Sequence, residues 1–275
     1  MRSSTQSGRF FLPPLRVFES VGSTQDYCLN KAQESATEEF AVLAREQTEG
    51  RGSRGRNWQS LRGNLHLSVL LRESLPLQEA GGFALLAGLA LLEALERFIP
   101  AEGAKLQLKW PNDVLLEGRK LGGVLINTGA GESDRLAFLV IGFGANLAIA
   151  PSLPDRPTAA LAELIAPPAP EAVAHAVLAQ LGYWRSRREH EGWSAIRAAW
   201  LAHAHPLRSR LTVRVGDEIV AGEFAGLTEG FALVLKTEAG IRSLATGEIL
   251  FGEPKAAPAF SAPATREKEN NAARY

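Results

Sequence analysis

Hydrophobic residues recur along this chain in short runs that predict strands alternating with helices. LRVFES at 15–20 alternates, predicting a strand with Leu15, Val17 and then Val21 on one side. Ser23 or Thr24 follows as the cap of a helix running through Asp26, Leu29 and Ala32. FAVLARE at 40–46 reads as a buried strand and NLHLSVLL at 64–71 as another, with a long Gly- and Arg-rich loop over 47–64 between them. A buried helix is expected at 81–97; its apolar stretch, 83–92, is too short to span a bilayer and ends at Glu93. LQLKW at 106–110 is a strand broken by Pro111, VLLEGRKLGGVLIN at 114–127 a hairpin around EGRK, and LAFLVIGFGANL at 136–147 a strand entering a glycine turn. The region 158–202 reads as helical, interrupted by PPAP at 167–170. There Arg185, Arg187 and Arg188 are expected on the wet face and Leu178, Leu181 and Tyr183 on the core side. Trp193 and Trp200, seven apart, suit a buried stripe.

From Leu211 the pattern changes to short strands punctuated by Gly216, Gly230, Gly240 and Gly247, the pattern of a compact β-barrel. Four parts are expected: a lead-in over 1–14, a catalytic domain over 15–205, a small barrel over 206–252 and a flexible tail over 253–275. The fold class is α+β, or mixed α/β; an all-parallel sheet is disfavoured because several adjacent strands lack crossover helices.

Composition narrows the function. Thirty Lys and Arg balance thirty Asp and Glu, so no broadly basic surface grips nucleic acid. Cys28 stands alone, which excludes an internal disulfide or a thiolate cluster and fits a reducing compartment. No secretory signal is visible, and a cytoplasmic protein is expected. The neutral total hides one basic stretch: 45–62 holds five arginines against Glu46 and Glu49.

Three segments could carry chemistry. GRGSRGRNW at 50–58 opens with a G-x-G-x-x-G pattern, but no helix follows to aim its N-terminus at a pyrophosphate, so a dinucleotide site is rejected. Arg51, Arg54 and Arg56 among glycines still suit an anion; a solvated surface loop is the plain alternative. KWPNDVLLEGRKLGGVL at 109–125 holds Asn112 and Asp113 at a rigid turn and returns Lys120 to the same sheet end, unless these are two ordinary turns. In IGFGANL at 141–147, Asn146 suits an adenine edge or a left-handed turn.

Taken together, Ser23-Thr24, Gln47 with GRGSRGRNW, KWPND with RKLGG, GFGANL and the terminal β-module resemble the biotin protein ligases across about residues 15–252. The resemblance implies a catalytic domain like that of class II aminoacyl-tRNA synthetases, closed by a small Src-homology-3-like β-barrel. It implies ATP and biotin as substrates with Mg, formation of biotinyl-adenylate, and transfer to one lysine of a carboxylase's biotin carboxyl carrier domain. By family position, Ser23, Thr24 and Gln47 hold the ureido ring and Gly123 lines its pocket, while Arg51, Gly52 and Ser53 wrap the tail and phosphate. Lys120 meets the activated carboxyl, with Arg51, Arg54 and Arg56 supplying further catalytic charge. Arg56, Trp58, Asn112 and Asn146 take the adenylate side, and Asp113 helps orient the amine or metal; no protein-side metal ligand is assigned.

The sequence departs from the family in three ways. Gln25, counted among the biotin-binding residues, replaces an Asn and is one methylene longer. Ser53 stands where relatives often carry arginine, which predicts looser retention of the adenylate. The short lead-in leaves no room for a helix-turn-helix, so no DNA partner is expected. No membrane partner is expected either, and the protein is read as a monomer or homodimer. The rival readings are a lipoate ligase or octanoyltransferase of the same fold, a non-catalytic nucleic-acid-binding module using the Arg/Gly loop, and a biotin sensor without transfer activity.

Overall fold

A computed structural model describes residues 12–34, 37–100 and 105–251. The expected tail, and all but the last three residues of the lead-in, lie outside the described residues. The first half of the chain comprises β1 (Leu15–Phe18), α1 (Thr24–Gln33), β2 (Phe40–Ala44), β3 (Leu65–Leu71), α2 (Ala80–Glu96) and β4 (Leu106–Lys109). Then come β5 (Asp113–Leu116), β6 (Arg119–Ala130), β7 (Leu136–Ala145) and α3 (Pro170–His203). These seven strands form one sheet in the order β1-β2-β3-β7-β6-β5-β4. Only β1 and β2 run parallel, with α1 as the crossover between them; every other pair is antiparallel.

Three layers result, and they explain why β2 is apolar without alternation. Phe40 and Val42 face α1, packing on Cys28 and Ala32. Ala41 and Leu43 face the larger core beneath α2 and α3. That core takes Phe83, Leu85, Leu89 and Leu92 of α2, each fully buried and each contributing about 1.5–3 kcal/mol over exposure. By length and composition Leu77–Glu96 could cross a membrane, a longer apolar segment than 83–92 suggested. Here it is the central helix of the core.

Three sequence expectations need correction. Val17 is exposed and Leu15 half-buried, because β1 is an edge strand with a single neighbour. Of 158–169, only a 3-10 turn at Leu161–Glu163 is helical; α3 starts at Pro170, whose missing N–H is harmless in a first turn. Finally, Arg185 and Arg188 are not on the wet face. The buried row of α3 runs Val177, Leu181, Trp184, Arg188, so Tyr183 turns outward. Arg185 bonds Glu39 through both amino groups at 2.9 Å and Glu73 at 2.8 Å, while Arg188 bonds Glu73 at 3.1 Å. Arg187 alone of the three stays largely toward solvent, half-buried and pairing with Glu191 one turn on. A left-handed Gly192 (φ 75°) breaks the helix before the stripe of half-buried Trp193 and buried Trp200.

The second sheet joins β8 (Arg210–Val215), β9 (Glu218–Leu227), β10 (Leu233–Thr237), β11 (Gly240–Leu244) and β12 (Glu248–Ile249) in the order β11-β10-β9-β8-β12. Its core is continuous with the first: Phe231 packs on Trp193 with ring centroids 5.2 Å apart. Trp110 donates from its indole nitrogen to the Phe231 carbonyl at 3.2 Å. This seam brings β12 against the Arg-rich loop.

Candidate active site

Ser23 caps α1: its backbone is extended and its hydroxyl accepts from the Asp26 N–H at 3.3 Å. Ser23, Thr24 and Gln25 are therefore held at the helix start, each under 5% exposed. Beyond β2, Gln47 is drawn beside them. Its Oε1 accepts from the Thr24 N–H at 2.8 Å, and its Nε2 donates to Ser60 at 2.9 Å.

The predicted loop at 50–58 is a tight hairpin. Gly52 N–H donates to the Arg56 carbonyl at 2.7 Å and Trp58 N–H to Gly50 at 2.9 Å. Arg54 (φ 60°) and Gly55 (φ 71°) turn its tip. Arg51 reaches Asp26 at 2.7 Å; Arg54 and Arg56 reach Glu248 of β12 at 3.0 and 2.8 Å. Trp58 lies flat on β7 at Gly144, where any Cβ would come within 2.7 Å of the indole.

The KWPND turn follows β4, and the β5–β6 hairpin does return Lys120 to it. Lys120 Nζ lies 2.5 Å from Asp113 Oδ1, and Gly123 stands opposite Asp113 in the register. Lys109 is buried with no hydrogen-bond partner among the described residues. Its ammonium lies 3.9 Å from Asp113 and 3.3 Å from the centre of the Phe251 ring. Burial, only partly offset by Asp113, pulls its pKa down to about 8.

Two adjoining cavities open along this surface. The first is walled by Ser23, Thr24, Gln25 and Gln47 at one end and by Arg51, Gly52, Ser53, Asn112, Asp113 and Gly123 along its length. The second is lined by Arg56, Asn146, Pro151, Asp155, Arg156 and Thr158. Gly52, Ser53, Trp58 and Lys120 border both, so Lys120 sits at the junction. Arg54 borders neither cavity; it lies on the outer side of the hairpin against Glu248.

Two polar residues are already engaged by backbone. The Asn146 amide nitrogen donates to the Ala159 carbonyl at 3.0 Å and to that of Lys120 at 3.4 Å, pinning 157–160 to β6. Its oxygen is buried without a partner among the described residues, so only an acceptor remains for an adenine edge. The Asn112 amide likewise donates to the Val124 carbonyl at 2.5 Å.

Sequence reasoning missed several neighbours. Ser68 and His66 line the first cavity; both are polar residues at alternate positions of a fully buried strand, a signal that was available. His66 has its Nδ1 3.3 Å from the Ala44 carbonyl, and burial lowers its pKa to about 4, leaving it neutral. Arg156 and Glu248 carried no local signal. Glu248 collects Arg54, Arg56 and Arg156; burial pushes its pKa up, but the Arg56 hydrogen bond and the three charges outweigh this and hold it below the usual carboxylate range.

A cationic junction between a polar-ended slot and a second, aromatic-edged cavity suits joining two anionic substrates. A family model described as the biotin/lipoate A/B protein ligase family matches residues 17–146. A biotin–[acetyl-CoA-carboxylase] ligase of Paracoccus denitrificans is 34% identical over 217 residues, 77% of this chain and 90% of that protein. The fold is similar to the biotin protein ligase of Aquifex aeolicus in complex with biotin and ATP, with a TM-score of 0.70 and 26% identity over 86% of this chain and 97% of that one. It is also similar to the Leishmania major biotin protein ligase in complex with biotinyl-5-AMP, at a TM-score of 0.59 and 27% identity over 85% and 99%.

Proposed function

This chain belongs to the biotin protein ligase family and is an ATP-dependent ligase; on that premise we propose how its residues share the reaction. Biotin occupies the first cavity with its ureido ring against Ser23, Thr24 and Gln47 and its valerate tail running past Arg51–Ser53 to Lys120. ATP occupies the second, its adenine between Trp58 and Asn146. A biotin carboxylate oxygen attacks the α-phosphorus and pyrophosphate leaves. The ε-amine of the acceptor lysine then attacks the acyl carbon of the adenylate, the C–O bond to AMP breaks, and the amine proton is lost.

The observation that carries this reading is Lys120 at the junction of the two cavities. A fixed ammonium there offsets the repulsion between carboxylate and phosphate and stabilises the charge that builds at the α-phosphate. Arg51 and Arg56 add to this field, with Arg54 behind them on the hairpin. Asp113, bonded to Lys120 and close to Lys109, is positioned to take the proton of the incoming amine. Magnesium enters as part of the nucleotide substrate; among the described residues no group of three acidic, His or Cys side chains gathers to hold a resident ion.

The family acts on the biotin carboxyl carrier proteins of carboxylases, and we assign that partner class here, in the cytoplasm, where ATP and carrier meet. Residues 15–205 supply the chemistry and 206–252 the small closing module. The test is purified protein with ATP, Mg, labelled biotin and a carrier domain of acetyl-CoA carboxylase. Label on a single carrier lysine is expected. An unlabelled carrier, or label only when lipoate replaces biotin, overturns the assignment.

A further inference from the structure

Behind Thr24 lies a run of polar side chains with no part in the steps above. Gln25 Nε2 lies 3.2 Å from the Val140 carbonyl and 3.0 Å from Asn127 Oδ1. A carbonyl only accepts, so the nitrogen of the Gln25 amide must face it, which fixes the orientation of the amide. The Gln25 oxygen then faces Ser68 Oγ at 2.9 Å and has no hydrogen to offer. Ser68 therefore donates its one proton to Gln25, and in its 2.8 Å contact with Thr24 it accepts.

Gln47 constrains Thr24 from the other side. Its Oε1, oriented by the Thr24 N–H, lies 3.0 Å from Thr24 Oγ1. The single Thr24 hydroxyl proton thus has two acceptors inside the wall, Ser68 Oγ and Gln47 Oε1. Lone pairs are what Thr24 presents to the cavity. Ser23 is the opposite: its oxygen accepts from the Asp26 N–H, and its own proton remains available. Ser23, Thr24, Gln25 and Ser68 are each at most 4% exposed, where a mismatched hydrogen bond has no water to replace it, while Asn127 and Gln47 at the two ends are half-buried. Room for the relay comes from Gly142, where a Cβ would lie 2.6 Å from Gln25 Oε1.

We infer that Gln25, Ser68 and Asn127 are positioning residues that hold the Thr24 hydroxyl as an obligate acceptor, so that the Ser23–Thr24 wall selects a cyclic urea over a carbamate of the same shape. The inference rests on the assignment of biotin to this cavity. A urea places an N–H beside its carbonyl, matching an acceptor beside a donor. A ring oxygen in place of that N–H would set lone pair against lone pair.

Calorimetry with biotin and the two carbamate isomers of biotin, each with one ureido N–H replaced by oxygen, tests this on the full chain. One isomer is expected to bind wild-type protein at least about tenfold more weakly than biotin. Equal affinity of both isomers and biotin overturns the inference without any variant. Gln25→Met keeps the side-chain length but releases the Ser68 proton toward Thr24, leaving Gln47 Oε1 as the one acceptor in the wall competing with the ligand for the Thr24 proton. The urea-to-carbamate ratio then falls at least about threefold, and falls likewise in Ser68→Ala, while Ser68→Thr keeps it. A uniform loss for all ligands in Gln25→Met and Ser68→Ala marks a merely structural role and refutes the relay. Biotin-dependent ATP–pyrophosphate exchange by the wild type separates the two levels. Without exchange or biotin binding the function assignment falls and the relay with it; exchange with an unchanged ratio in the variants removes the relay alone.

Discussion

The two ends of the site are built by opposite means. At the Thr24 end, the buried Thr24, Gln25 and Ser68 hydrogen-bond to side chains and backbone groups 23 to 115 residues away in sequence. At the hairpin end, Arg51, Arg54 and Arg56 have side chains 37–60% exposed, and they pair with the carboxylates of Asp26 and Glu248. Buried hydrogen bonds are costly to break because the groups left behind have no water. Exposed ion pairs are each worth only about 0–1 kcal/mol and exchange readily. The rigid end is suited to recognition. The hairpin is suited to exchanging carboxylate partners for phosphate ones.

Three measurements sharpen that contrast. The largest effect is expected at the junction, where Lys120→Met should lower biotin-dependent pyrophosphate exchange by about 100- to 1,000-fold while the protein still folds. Near-normal exchange would remove Lys120 from its role. Next comes the buried end as read by pH. His66 is neutral in the folded protein, with a pKa of about 4 against 6.5 when free. Between those values the unfolded chain holds more protons, so stability falls as pH drops from 6.5 toward 4, by up to about 3 kcal/mol. Urea unfolding over that range should show the slope in wild type and lose it in His66→Phe; an identical slope in both contradicts the assignment.

The smallest effect belongs to the exposed end. Ser53 takes hydrogen bonds from Arg56 at its carbonyl (3.3 Å) and its hydroxyl (3.4 Å), and it borders both cavities with no charge of its own. Ser53→Arg should slow release of biotinyl-adenylate by a few-fold, an effect that high salt reduces. Equal release rates in quenched-flow sampling would sink this prediction.

How much was legible follows the same division. Capping by Ser23, the strand at 40–44, the central helix and the β5–β6 hairpin all arise from neighbours a few residues apart, and local pattern revealed them. The residues proposed to hold biotin were legible as a set because the motifs carrying them are short and ordered, and the fold gathers them along one cavity. Arg188 was misplaced because its burial depends on Glu73, 115 residues away, and a charge is read as exposed until its partner is known. Tyr183 was misplaced by one position in the helical phase, which packing on α2 and β3 decides. Gln25 is the instructive case. Sequence placed it at the ligand, and it does line the cavity, yet its amide is already bonded to Val140, Asn127 and Ser68.

Residue chemistry and local order were thus determined by the sequence alone: an N-cap beside a glutamine, arginines among glycines, a lysine returned by a hairpin, and a small β-module to follow. The tertiary structure decided which of these groups are dry, which are paired, and which way each hydrogen bond points. Those properties depend on partners distant in sequence and on the exclusion of water, and neither is written in any local run of residues.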